Sequence, residues 1–326
     1  MFASMLRAAL LATVAVTVLA ADRPGETFPI KPVRIIDGFA AGGNTDFVGR
    51  VIASKLQERS GQTILVDNRP GAASTIAGEI TARAAADGHT LFITLGTILS
   101  SSPYLYPKLP YDIMKDFAYV SLVGMGNYVM LIHPSVQVKS VSDLVALTKT
   151  KPAAFKYGSG GVGSPVHLSV ELLKLRTGMQ IAHVPYKGGA PAVVAAAGGE
   201  VEMTVVSVPS AAGMVKTRKL NALAVTGPTR IAVLPDVPTM AESGVPDFQV
   251  LDPIGLVTPA QTPAATIKAI NAVVGEILQM EDVKARFLEQ GIEAKGSSPQ
   301  EFRVLIEKEQ QRWGRVIKEA NIPPNI

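Results

Sequence analysis

Between residues 33 and 225, short apolar runs rich in Val, Ile and Phe alternate with longer segments whose apolar residues recur at helical spacing. No other feature restricts the fold so strongly. A strand followed by a helix and another strand calls for parallel sheets with helices packed on them, so an α/β class is expected. Residues 33–36, 64–66 and 91–94 read as strands. Residues 45–60 place Phe47, Val48, Val51, Ile52 and Leu56 on one helical face, and residues 75–85 form the next helix. Gly61 stands where a helix C-cap belongs.

The texture changes in a Pro- and Tyr-rich connection at residues 104–111. Strands at 119–123 and 128–132 follow, separated by Gly124-Met125-Gly126-Asn127. A second α/β run then begins: helix 141–149, strand 155–157, a glycine loop, helix 165–176, strand 181–184, helix 190–198, and strands 203–206 and 222–225. A Pro-rich stretch at 228–263 leads to two terminal helices, 264–279 and 299–320. The length suits about two domains. Strand, glycine loop and helix occur in that order at residues 33–60 and again at 155–176.

Residues 8–21 form an unbroken run of Ala, Leu, Val and Thr after Arg7, and Val18-Leu19-Ala20 offers a signal-peptidase pattern. The run is too short to span a bilayer, so residues 1–21 read as a signal peptide of an exported, periplasmic protein. The chain has no cysteine, and an exported fold without disulfides must rely on a large core. The net charge is +4 with scattered basic residues, which excludes the clustered basic face of a nucleic-acid binder. A mild positive balance suits an anionic ligand.

The repeated glycine loops carry the chemistry. A helix N-terminus offers unpaired N–H groups and the positive end of the helix dipole, and glycines allow close approach of a ligand. Phe39-Ala40-Ala41-Gly42-Gly43-Asn44-Thr45-Asp46 has this form, with Thr45 as a hydroxyl donor. Gly158-Ser159-Gly160-Gly161-Val162-Gly163-Ser164 has it too, with His167 one turn into the next helix. Each alone can be a tight turn; the pair points to anion binding. Gly158, Gly160 and Gly163 match dinucleotide spacing, but strand 181–184 ends without the acid that would hold a ribose, and Ser164 replaces a P-loop lysine. The four histidines lack metal-ligand spacing, and neither Ser159 nor Ser164 fits a nucleophile elbow. No catalytic residue, metal or cofactor is assigned, and the chain is read as a non-enzyme.

The motifs resemble those of the tripartite tricarboxylate transporter substrate-binding proteins, the Bug family. The resemblance rests on the first loop, Val66-Asp67-Asn68-Arg69-Pro70-Gly71-Ala72, Asp87-Gly88-His89, Pro110-Tyr111-Asp112, the second loop, and His183-Val184-Pro185-Tyr186-Lys187-Gly188-Gly189. Leu234-Pro235-Asp236-Val237-Pro238-Thr239 and Glu309 with Trp313 extend it to the C-terminus. Membership implies two Rossmann-like lobes of periplasmic-binding-protein type (type II-like), closing on a ligand in the cleft. The implied division is residues 28–125 plus 250–326 in one lobe and 126–249 in the other. The implied function is capture of a small organic carboxylate, dicarboxylic or aromatic, by a monomer that delivers it to a membrane permease. Presentation of the same solute to a signalling receptor is the alternative. Ligand-facing candidates carried over are Phe39, Ala40, Gly42, Gly43 and Thr45, then Ser159, Gly160, Gly163, Ser164 and His167. Thr94 and Thr97 flank the third strand's end.

Departures from the family pattern mark this chain's own pocket. Asp37 and Gly38 precede Phe39 where an apolar residue and Pro are usual. Val206 and Ser207 stand where many members carry an acid, and Ser207 joins the candidates. Asp37 either turns into the cleft or caps the turn at Gly38.

Overall fold

The computed structural model describes residues 28–151 and 154–324. The expected signal peptide, residues 1–21, lies outside them. The first run comprises β1 (Val33–Asp37), α1 (Asn44–Ser60), β2 (Ile64–Asn68), α2 (Thr75–Ala82), β3 (Thr90–Leu95) and α3 (Gly96–Leu105). Strand β4 (Phe117–Gly126) passes through Asn127 into β5 (Tyr128–Ile132). The second run is α4 (Val141–Thr150), β6 (Lys156–Ser159), α5 (Pro165–Thr177), β7 (Ala182–Pro185), α6 (Gly189–Ala197), β8 (Met203–Ser207), α7 (Val208–Lys216) and β9 (Asn221–Val225). The chain returns through β10 (Asp252–Pro259) and ends with α8 (Ala264–Gln279), α9 (Glu281–Leu288), β11 (Ile292–Ala294) and α10 (Pro299–Glu319).

These strands form two sheets, ordered β11-β4-β10-β3-β1-β2 and β7-β6-β8-β5-β9. In the first, β1 runs parallel to β2 and β3, so α1, α2 and α3 all begin at one edge. In the second, β6 is parallel to β7 and β8, so α5, α6 and α7 begin at one edge. The crossings show how these edges lie. Strand β10 is antiparallel to both β3 and β4, so β4 ends at the same edge as β3. Tyr128 pairs with Ser207 at the end of β8. Asn127 therefore joins the two helix-bearing edges directly, and they face each other across the junction.

Each sheet buries apolar residues on both faces. Ile35, Ile93 and Leu256 pack with Val48, Ile52 and Ile270 on one face of the first sheet, and Ile36, Phe92 and Val257 pack with Phe302 and Ile306 on the other. Helix α10 spans both lobes. Its first half sits on the first sheet, whereas Trp313, Val316 and Ile317 enter the core of the second with Leu105, Tyr157 and Leu168. Ser298 caps this helix through the Glu301 N–H, and Glu301 reaches back to the Ser298 N–H, a reciprocal capping box.

The structure alters several expected boundaries. Strand β4 continues through Gly124–Gly126, where the two glycines suggest a break. The Pro-rich stretch contains β10, a central strand. Pro253 pairs with Met125 but lies beyond the first pair with β3, Ile254 with Leu95, so its missing N–H is placed at the strand's end. Helices α3, α7 and α9 and strand β11 were not expected. Helix α3 has three consecutive serines and Pro103, poor helix formers, and is held by packing on α10 rather than by propensity. Among the described residues no helix is long and apolar enough to cross a membrane.

Candidate functional site

The first loop is built around an inward carboxylate. Asp37 ends β1 fully buried; its Oδ1 accepts the Phe39 N–H at 3.0 Å and the Thr45 hydroxyl at 2.9 Å, and Oδ2 faces Asn68 Nδ2 at 3.4 Å. Of the two readings of Asp37, the geometry is that of a turn holder. Burial pushes its pKa up to about 7, against the pull of those bonds. The Thr45 hydroxyl is correspondingly spent on Asp37. Asp46 accepts the Gly42 N–H at 3.0 Å and is held in turn by Arg50. The N–H groups of Ala40, Ala41 and Gly43 are taken up by nothing among the described residues. Gly42 adopts φ 94°, and a Cβ built at Gly43 would meet no atom within 4 Å. The loop thus shows its backbone to open space, while Phe39 packs beside the first core.

The second loop is tied down by side chains. Ser164 caps α5, its Oγ accepting the His167 N–H at 3.3 Å, and Pro165 begins the helix. His167 Nδ1 accepts the Gly163 N–H at 3.1 Å. Ser159 is buried; its Oγ lies 2.6 Å from His183 Nε2 and accepts the Gly161 N–H at 3.1 Å. The imidazoles of His167 and His183 stack at 4.1 Å. Burial holds the His167 pKa down to about 4 and that of His183 to about 3. Gly160 sits against the backbone of Gly188 and Gly189, 3.3 Å from where its Cβ would be, so no side chain fits there without displacement.

Between the loops lies a buried polar junction. Thr97, at the start of α3, donates its N–H and hydroxyl to Asp252 Oδ1 at 3.1 and 2.9 Å. The Tyr128 hydroxyl donates to Asp252 Oδ2 at 2.6 Å. Burial raises the Asp252 pKa to about 6. Asn127 Oδ1 accepts the N–H groups of Gly227 and Tyr128 at 2.9 and 3.1 Å. Helix α3 bridges to the second loop, with Ser101 Oγ 3.4 Å from the Gly163 carbonyl and Leu105 filling the space beside Gly163.

The expected residues 39–45 and 159–167 thus fall on the two facing edges. Thr97 lies at the junction, and Ser207 Oγ meets Ser210 Oγ at 2.9 Å where α7 begins. Thr94 is fully buried on the face shared with Phe92, its hydroxyl without a partner among the described residues. Sequence reasoning gave no role to His183, Tyr128, Asn127 or Asp252. Only His183 carried a signal, as the first residue of the His-Val-Pro-Tyr motif.

The profile of the tripartite tricarboxylate transporter family receptor matches residues 48–322. The chain belongs to that family. Protein BugT of Bordetella pertussis is 35% identical over 303 residues, 93% of either chain. Among solved structures, R. palustris Rpa4515 with adipate superposes with a TM-score of 0.87 at 34% identity, over 91% of this chain and all of that one. MatC from Rhodopseudomonas palustris with bound malate gives 0.81 at 31% identity, over 89% of this chain and all of that one. As a Bug-type receptor the chain is a periplasmic solute-binding protein and not an enzyme. The Ser159–His183 contact has the spacing of a nucleophile and its base, but the serine is sealed inside the loop it holds.

Proposed function

We propose that this receptor captures a small dicarboxylate, with one carboxylate on each glycine loop. The observation that carries the reading is the placement, in the loops leading into α1 and α5, of N–H groups without a partner among the described residues, on edges that face each other. Ala40, Ala41 and Gly43 supply them on one side, Gly160 and Val162 on the other. Helix N-termini favour an anion without a fixed cation. Adipate in Rpa4515 and malate in MatC lend support from related chains. The two positions that could have met a ligand ammonium do not offer a carboxylate: Val206 is buried with Val129 and Val225 against the second sheet, and Asp37 is turned inward. An ammonium in this cleft would be buried unpaired, at high cost.

In the same proposal, residues 1–21 are removed on export, and the loaded receptor delivers its ligand to a tripartite tricarboxylate permease. Residues 28–125 with 250–326 and residues 126–249 act as the two lobes, and because the second half of α10 packs into the latter, they turn about α10 as well as Asn127 and the return to Asp252. Isothermal calorimetry tests the ligand class: aliphatic diacids are expected to bind more tightly than their monoamides and than amino acids. A preference for zwitterionic amino acids, or for aromatic monoacids, would overturn it.

A further inference from the structure

The second loop divides its N–H groups between two tasks. Those of Gly161, Gly163 and Ser164 are spent within the loop's own frame, on Ser159 Oγ, His167 Nδ1 and the Gly161 carbonyl, at 3.1, 3.1 and 3.2 Å. Those of Gly160 and Val162 have no partner among the described residues. Two of the three inward acceptors depend on an imidazole: His167 directly, and Ser159 through its 2.6 Å contact with His183. The rings reinforce each other, His183 being stacked between His167 at 4.1 Å and Tyr157 at 4.9 Å. Tyr157 is itself fixed by its hydroxyl on Glu171 Oε1 at 2.9 Å, which Lys174 also meets at 2.8 Å.

The bonds also place the protons. His167 Nδ1 accepts from Gly163, so a neutral His167 carries its proton on Nε2. Ser159 Oγ has one proton to give, and the Gly161 carbonyl is 3.1 Å away. If His183 donates from Nε2 to Ser159, the serine can donate to that carbonyl, and its hydroxyl then donates once and accepts twice. The reverse arrangement leaves two oxygen lone pairs facing each other.

We propose that His167 and His183, as a stacked neutral pair, are positioning residues that hold the second loop so that the N–H groups of Gly160 and Val162 stay free for a ligand carboxylate. The ligand clause rests on the dicarboxylate reading above. Burial keeps both rings neutral, and the Lys174 charge nearby acts in the same direction, with Glu171 opposing it at His183. The arrangement resembles a capping box in which the third helical residue reaches back to the loop rather than to the cap.

The test uses the full chain with two readouts: amide hydrogen exchange at Gly161 and Gly163 without ligand, and calorimetry with adipate. His167→Leu is expected to lower Gly163 protection and weaken adipate binding roughly tenfold. His167→Gln, whose side-chain oxygen can accept the same N–H, should restore most of both. His183→Phe keeps the stack but not the bond to Ser159, and should expose Gly161 selectively; it carries the test if His167→Leu does not fold. Nitrogen-15 spectra at pH 7 should show both rings neutral with the proton on Nε2. Unchanged Gly163 protection in His167→Leu, or equal loss in His167→Leu and His167→Gln, would overturn the proposal. Wild-type protein giving no heat with adipate, malate or other aliphatic diacids would overturn the dicarboxylate reading alone, because amide protection reads the loop without ligand.

Discussion

Asp37 occupies a position where its charge is a burden to the folded state. The folded carboxyl keeps its proton up to about pH 7, whereas the unfolded chain releases it near the ordinary aspartate value of 3.8. A carboxyl whose pKa is raised on folding destabilises the fold as it ionises. This contribution is therefore most favourable below pH 3.8, declines between 3.8 and about 7, and is constant above. Asp252 acts in the same direction up to about pH 6. Asp37→Asn keeps an oxygen for the Phe39 N–H and the Thr45 hydroxyl while removing the ionisation. Denaturation curves at several pH values should show the variant gaining on wild type from pH 4 to pH 8, by on the order of 4 kcal/mol at most. Parallel pH profiles would show that Asp37 ionises freely in the folded protein. The burial of Val206, by contrast, follows from the packing of β8 and has no local signal in the sequence.

At the scale of elements, the cap on α5 gives a sharper test of the second loop. Ser164 Oγ accepts the His167 N–H through one lone pair, which leaves its proton available to a ligand. Ser164→Ala should cost about 1 kcal/mol of stability as a lost cap. If the hydroxyl also meets the carboxylate, affinity falls a further ten- to a hundred-fold. Loss of stability with unchanged affinity would leave Ser164 as a cap only. The glycine loops were legible in the sequence because strand, glycine cluster and helix stand next to one another in the chain. What was not legible depends on distant packing. Helix α3 has a Ser-rich sequence with Pro103 and forms because α10 covers it. Strand β10 lies in proline-rich text and forms because β3 and β4 offer it edges on both sides. The imidazole stack joins His167 and His183, 16 positions apart, and the bond from His183 to Ser159 spans 24, so no local pattern announces them.

At the scale of the whole molecule, the Asp252 junction ties the start of β5 to the start of β10, the two points where the chain passes between sheets. Tyr128→Phe removes a donor from a fully buried carboxylate while the Thr97 bonds remain. Urea unfolding at pH 8 should show a loss of about 2 kcal/mol, shrinking towards 1 kcal/mol below pH 6 as Asp252 becomes neutral. A loss independent of pH would mean that the charge on Asp252 is not what the tyrosine stabilises.

The threading of the chain has a consequence for its synthesis. Strand β10 fills the middle of the first sheet, and Trp313, Val316 and Ile317 complete the second core, so neither half of the molecule is built from a continuous piece. A nascent chain of about 250 residues, emerging N-terminus first, would hold a first sheet split between β3 and β4 and a second core open where α10 belongs. Both lobes therefore lack part of their core until α10 has been made.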